Sequence, residues 1–307
     1  MLLRNLVLGI AILLSSGLAA AGEPIADLPA YLQDISLTIR AGTSQGSGVI
    51  FTREIKKDST SDAKVKINFI WTAGHVVDGL RSTREVIDPK TGAKKTAIQF
   101  KDASIVKELN EDGRKVGEIA FDARVIKYSD SENGDDLAIL MVRKTNFVDT
   151  SARFYLDETV PKVGSPLYHV GSLLGQVGAN SLTTGIISQT GRVLNIGQTA
   201  GKTFDQSTCA AFPGSSGGGV YLAGGEHQGE YIGMLVRGAG ETFNLIVPIR
   251  RMREWASTNK VMWALDQTVE APTLREMQEM PVEALDVIFQ GPESAAKQPA
   301  YAPMENR

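Results

Sequence analysis

The chain has 307 residues, 42% hydrophobic and 22% charged, which excludes gross disorder, a collagenous repeat and a coiled coil and leaves room for one large or two small cores. A net charge of -3 and a pI near 5.8 lack the basic footprint that nucleic-acid binders show, so nucleic acid is not expected as a partner. A single cysteine, Cys209, excludes an intrachain disulfide, and only three histidines (His75, His169, His227) leave too few ligands for a Cys/His metal site, so none is expected.

The first predicted element is a signal. Met1 to Arg4 is short and positive, Leu6 to Leu14 is almost wholly aliphatic, and Ala19, Ala20 and Ala21 supply the small residues of a cleavage site. Residues 1–21 are therefore expected to direct the chain to the bacterial periplasm or the exterior, with a retained anchor as the competing reading. The apolar stretch is shorter than the roughly 20 residues that a spanning helix needs.

Short β-rich runs follow, bounded by Gly, Asp, Asn or Ser: Ser36 to Arg40, Gly48 to Thr52, Val65 to Trp71, Ile98 to Phe100, Ile119 to Val125, Leu137 to Val142, Leu167 to Val170, Leu182 to Ile187, Gly219 to Leu222, Tyr231 to Val236 and Phe243 to Val247. No long helical pattern separates them, which predicts an all-β chain of antiparallel sandwiches or barrels, since parallel strands need crossovers. Asp149 to Lys162 is polar, carries Pro161 and reads as a linker between two halves. Arg81 to Lys115 mixes both charges and reads as a solvated insertion. The spacing of Met252, Trp255, Ala256, Asn259 and Trp263 predicts a helix over 250–263 that packs against a barrel. From Asp266 to Arg307 acids outnumber bases and prolines accumulate, predicting a flexible tail with one short helix near Leu274 to Met280.

Chemistry concentrates in three places. Pro213-Gly214-Ser215-Ser216-Gly217-Gly218-Gly219 places serine among residues free to adopt unusual backbone angles, where Oγ can be exposed while the N–H groups of Gly214 and Ser216 converge on an oxyanion. A glycine-rich turn has the same composition, so a partner base decides between them. His75 closes the apolar run Ile70-Trp71-Thr72-Ala73-Gly74, where one side of the ring can be held and the other left open, as a general base requires. His169 alternates within a strand and reads as structural, and His227 lies in a polar hairpin tip. An orienting carboxylate is available at Asp136 or Asp135, immediately before the strand Leu137 to Val142, and alternation allows only one of the pair to point inward.

In order, Thr72-Ala73-Gly74-His75, Asp136-Leu137-Ala138-Ile139-Leu140 and Gly214-Ser215-Ser216-Gly217-Gly218 resemble the three motifs of trypsin-fold serine endopeptidases. Gly46-Ser47-Gly48-Val49-Ile50, Thr183-Thr184-Gly185-Ile186-Ile187-Ser188 and Tyr231-Ile232-Gly233-Met234 are similar to the bacterial HtrA/Deg branch. The resemblance selects Asp136 over Asp135. It implies two six-stranded antiparallel β-barrels and a C-terminal helix within a protease domain over 30–265: a first barrel over about 30–148, a second over about 163–249 and the helix over 250–263, followed by the tail 266–307. It further implies a catalytic triad of His75, Asp136 and Ser216, an oxyanion hole from Gly214 and Ser216, polypeptide substrates and no cofactor. A substrate pocket with its floor at Ala210 and a wall from Val236, Arg237 and Gly238 is also implied. That floor carries no acid, so apolar residues are expected before the scissile bond, with Arg237 pointing across neighbouring subsites. Homo-oligomerisation is compatible with the resemblance and unspecified by it.

The chain departs from the family pattern in several respects. Ser215 stands where Asn or Asp is usual, and the tail is too short for the PDZ domain that HtrA-type enzymes carry, so PDZ control is not carried over. The long interval between His75 and Asp136 predicts inserted hairpins over Arg53 to Lys66 and Arg81 to Glu118 beside the cleft. Gly214 to Gly218 also fits the Gly-x-Ser-x-Gly pattern of α/β-hydrolases, but neither the required helix nor an acid-then-histidine order follows it. Gly197 to Thr203 falls one residue short of a phosphate loop. The expected function is a serine endopeptidase; the alternative is a catalytically silent module that holds unfolded polypeptide in the same cleft.

Overall fold

The computed structural model describes residues 25–60, 62–87, 92–111, 113–194, 201–238 and 242–283. The predicted signal, most of the phosphate-loop-like segment and the end of the tail lie outside them. A first helix, α1 (Leu28–Asp34), is capped by the Asp27 carboxylate accepting from the Ala30 N–H at 3.1 Å, and it buries Leu28 and Leu32 in the core.

Strands β1 (Ser36–Ala41), β2 (Ser44–Lys56), β3 (Lys64–Thr72), β6 (Ala103–Glu111), β7 (Arg114–Ser129) and β8 (Leu137–Val142) close into a barrel in the order β1-β2-β3-β8-β7-β6, while β4 (Arg81–Ile87) and β5 (Lys94–Phe100) form a separate hairpin. All six residues of β8 are buried because β3 and β7 flank it on both sides. The expectation of an insertion running through Arg81 to Glu118 is therefore corrected: only β4 and β5 stand outside the barrel, and β6 is one of its walls. Its charges are compatible with a wall because Lys107, almost fully buried, places its amine 2.7 Å from Asp34 Oδ1 and 2.6 Å from Asp34 O. The β2–β3 hairpin does extend through 53–66 as expected.

The second half begins with β9 (Arg153–Phe154) and continues with β10 (Pro166–Leu173), β11 (Gly178–Leu194), β12 (Lys202–Ser207), β13 (Gly219–Leu222), β14 (Glu230–Gly238) and β15 (Asn244–Pro248). The order β13-β10-β11-β12-β15-β14, with β14 also paired to β13, closes a second six-stranded antiparallel ring. The two-residue β9 adds a parallel contact to β14, so the polar segment between the halves is anchored, with Ala152 and Tyr155 buried.

After α2 (Gly74–Val77) in the first barrel, the next helix is α3 (Ile249–Thr258), which stops five residues before the predicted end. The chain takes a left-handed turn at Lys260 (φ 58°) and re-forms a short helical turn at Met262–Ala264. This arrangement serves both barrels: Trp255 packs edge-on to Trp71 with centroids 5.7 Å apart, and Trp71 Nε1 donates to Ala264 O at 3.0 Å.

Residues 266–283, expected in a flexible tail, instead lie against the first barrel. Arg53 donates to the carbonyls of Trp263, Asp266 and Val269, the Tyr128 N–H donates to Val282 O at 3.0 Å, and Arg81 pairs with Glu283 at 2.7 Å. Helix α4 (Leu274–Glu279) carries a complete capping box between Thr273 and Glu276 and buries Met277 completely. A proline- and acid-rich composition does not prevent docking when one apolar side chain and several backbone groups find partners. Met277→Ala is expected to lower stability by about 2–5 kcal/mol, measured as a shift in urea midpoint; an unchanged midpoint would mean the contact is not formed in solution.

Candidate active site

Strand β3 delivers Thr72 to the barrel rim, and His75 follows in the first turn of α2. Its Nδ1 lies 3.0 Å from each oxygen of Asp136, and its backbone N–H donates to Asp136 Oδ1 at 3.0 Å. A carboxylate only accepts, so the ring proton sits on Nδ1 and the Nε2 lone pair is left available. The Asp136 side chain is 6% exposed and that of His75 is 33% exposed, which buries the orienting bond while one edge of the ring meets solvent.

Asp136 occupies the left-handed region (φ 57°) just ahead of β8, and its N–H donates to Asp130 O at 3.1 Å. Alternation alone did not choose between the two acids; the backbone sends them to opposite partners. Asp135 meets Lys202 Nζ at 2.7 Å and Arg251 Nε at 3.2 Å, both from the second half.

Ser216 lies between β12 and β13 in a loop closed by several turn bonds. The Ser215 N–H donates to Phe212 O at 2.9 Å, the Phe212 N–H to Ser215 Oγ at 3.1 Å and the Gly218 N–H to Ser215 O at 3.0 Å. Ser215, the departure from the usual motif, is thus the fully buried knot of the turn. Two glycines are required there. Gly214 (φ +97°) has Ser172 O 2.3 Å from where a Cβ would stand, and Gly217 (φ +88°) has Ser47 O at 2.2 Å.

The loop is fastened to the first barrel through Ser47. The Ser47 N–H donates to Ser216 O at 2.7 Å, its Oγ donates to Gly214 O at 2.7 Å and accepts from the Ser172 N–H at 2.7 Å, and Thr72 Oγ1 donates to Ser47 O at 2.8 Å. Among the described residues neither the Gly214 nor the Ser216 N–H donates to a protein acceptor, leaving two neighbouring donors for a ligand oxygen. Ser216 Oγ donates to Val236 O at 3.3 Å, and among the described residues no hydrogen bond joins it to His75.

Beside Ser216 opens a cleft of about 370 Å³ lined by Ala211, Phe212, Pro213, Leu235, Val236, Arg237 and Gly238. Val236, Arg237 and Gly238 were expected there. Ala210, expected at the floor, is half-buried just before this lining, its carbonyl accepting from Thr183 Oγ1 at 3.0 Å, and the neighbouring Ala211 lines the cleft. No carboxylate lines the cleft among the described residues. Arg237 reaches across to Ser131 O of the first barrel at 3.4 Å.

Neither His169 nor His227 is hydrogen-bonded to Asp136 or Ser216 among the described residues. His227 pairs with Glu230 at the surface, 3.0 Å away. His169 is fully buried, its Nδ1 meeting Gly219 O at 3.0 Å, and burial pushes its pKa down to about 4. Cys209 is fully buried, and desolvation pushes its thiol up to about 11. Native protein is expected to react with iodoacetamide only at the rate of global opening, so alkylation as fast as that of a free thiol would contradict the burial. Among the described residues no three His, Cys, Asp or Glu gather as a metal site.

Two antiparallel six-stranded barrels, with a histidine and an aspartate on one and a glycine-bound serine on the other, define the trypsin-fold class of protein. Residues 46–234 match the model of the trypsin-like peptidase domain, and the chain belongs to that family. It is 30% identical over 182 residues to "Serine protease Do-like HtrA" of Lactococcus lactis subsp. lactis (strain IL1403) and equally to its counterpart in Lactococcus lactis subsp. cremoris (strain MG1363), in each case over 58% of this chain and 34% of the relative. The chain thus matches about a third of the length of these relatives. Among solved structures the fold is shared with Deg5 (TM-score 0.50, 18% identity, 78% of this chain and 94% of that one) and with a serine endoprotease from Yersinia pestis (TM-score 0.50, 16% identity, 78% and 68%). Among the described residues no helix is long and apolar enough to cross a membrane.

Proposed function

We propose that this chain is a serine endopeptidase that hydrolyses peptide bonds through an acyl-enzyme on Ser216. The observation that carries this reading is the His75–Asp136 pair, which fixes the ring with Nε2 free, on the first barrel where the second barrel docks a glycine-held serine beside two uncommitted N–H donors. Ser216 Oγ attacks the scissile carbonyl carbon while His75 Nε2 takes its proton. The Gly214 and Ser216 N–H groups hold the resulting oxyanion, and the C–N bond breaks as His75 returns the proton to the leaving amine. Water then repeats the sequence, releasing the acid and restoring Ser216.

The cleft beside Ser216 supports acceptance of an apolar side chain before the scissile bond. Ala211, Pro213, Leu235 and Val236 line it, and a lysine or arginine would enter without a counter-charge. Arg237 stands at its edge and favours an acidic neighbour. Mass-spectrometric mapping of cuts in an unfolded protein is expected to find mostly aliphatic residues at the bond, and a majority of cuts after Lys or Arg would sink the pocket assignment. The N-terminal aliphatic run supports a location in the bacterial envelope or outside the cell.

The bond from Ser216 Oγ to Val236 O favours one second reading, a silent module that holds polypeptide without cutting it. Rotation about one side-chain bond frees the hydroxyl, and hydrogen bonds of this kind are often unformed until substrate binds. A fluorophosphonate probe separates the two: labelling that disappears in Ser216→Ala supports the enzyme, and a folded protein that never labels supports the binder.

A further inference from the structure

Asp136 adopts a left-handed backbone, uncommon among non-glycine residues though tolerated by aspartate more readily than by most, and its surroundings hold it there. Part of what fixes it comes from the other barrel. Arg251 on α3 is 7% exposed and meets the residue before Asp136 twice, through Nε to Asp135 Oδ1 at 3.2 Å and Nη2 to Asp135 O at 2.7 Å. Its Nη1 donates to Thr203 O at 3.4 Å, and its guanidinium lies over the Phe204 ring, 4.9 Å from the centroid. Lys202 on β12 closes the cluster at 2.7 Å from Asp135 Oδ1, and the Asp135 N–H donates to Ser129 Oγ at 2.7 Å. The backbone carbonyl held by Arg251 belongs to the peptide that joins Asp135 to Asp136, so its orientation sets the direction in which Asp136 leaves the chain.

We infer that Arg251, assisted by Lys202, is a positioning residue: by gripping Asp135 from the second barrel it aims Asp136 at His75. This rests on the reading of His75, Asp136 and Ser216 as a triad. The grip is a bidentate fork from a side chain with few rotamers left to it, the geometry for which arginine is suited and lysine is not. An alternative structural role for Arg251, simple adhesion of the barrels, would not need contact with this peptide. A polar cleft of about 860 Å³ lined in part by Asp135, Lys202 and Arg251 opens beside the cluster.

The test compares Arg251→Lys, Arg251→Met and Lys202→Met with the unaltered chain. Misplacing a catalytic group by about 1 Å costs on the order of 100-fold, so Arg251→Met is expected to lose that much kcat with KM little changed, Arg251→Lys to recover part of it, and Lys202→Met to lose less. The low-field proton resonance of His75 Nδ1–H is the second readout, expected to shift or broaden in Arg251→Met while thermal unfolding remains cooperative. If Arg251→Met folds and keeps both kcat and the resonance, the inference fails. If Arg251→Met does not fold, Arg251→Lys decides: full kcat with an unshifted resonance overturns the inference, and reduced kcat with a shifted resonance supports it. Ser216→Ala run alongside separates this from failure of the triad itself, because retained cleavage there would remove the reading on which the inference stands.

Discussion

Ser216→Ala and His75→Ala are each expected to lose on the order of a million-fold in kcat on an unstructured polypeptide, and the double variant is expected to lose little more than either alone. The non-additivity is the sharper part. A serine hydroxyl without its base and a base without its hydroxyl are equally idle, whereas two residues acting separately would multiply their losses. The Gly214 and Ser216 N–H donors survive in both single variants and sustain the residue of activity. Unchanged cleavage by Ser216→Ala, or a double variant whose loss equals the product of the single losses, would contradict the assignment.

Stability is expected to fall as the pH drops from about 6.5 to about 4, by about 3 kcal/mol through His169 alone. The folded pKa is depressed, because the ring is fully buried and its Nε2 has no partner among the described residues. The unfolded state therefore takes up the proton first, so this contribution is complete above the unfolded value and lost as pH falls towards the folded one. Urea midpoints measured from pH 7 to pH 5 isolate the effect before most carboxylates titrate, and His169→Asn, which keeps a donor for Gly219 O, should flatten the slope. Parallel slopes for the two proteins would show that His169 does not carry it. The effect reaches the site, since a Cβ on Gly218 would lie only 2.7 Å from His169 Cε1, beneath the nucleophile loop.

The three site motifs and most of the strands were legible because each is local: alternation marks a strand, and glycine beside serine marks a turn that only glycine permits. What escaped was long-range. Strand β6 looked like a solvated insertion because Lys107, Glu108 and Glu111 dominate its composition, and nothing near Lys107 in sequence announces that Asp34 will neutralise it. The docking of 266–283 was hidden for the same reason, as its partners are scattered in sequence, Arg53 and Tyr128 in the first barrel and Arg81 in the β4–β5 hairpin. Arg251 carried no signal at all: on α3 it reads as one basic residue among three, and only the crossing of the barrels brings it to Asp135. Ser47 stood in a quoted motif, yet its task of holding Gly214 and Ser216 follows from tertiary pairing alone.

The return of the chain to the first barrel after α3 makes the molecule a closed loop of contacts. The barrels are joined once by the segment around β9 and again by the stretch from Trp263 to Glu283, so each tether keeps the other's interface at high effective concentration. Separating the barrels requires either peeling the second tether from Arg53 and Tyr128 or stretching both at once. Proteolysis within 149–162 should consequently leave two fragments that stay together and active, and a second cut between Leu265 and Thr273 should weaken that association without abolishing it, since the contacts of Ser47, Trp71 and Arg251 remain.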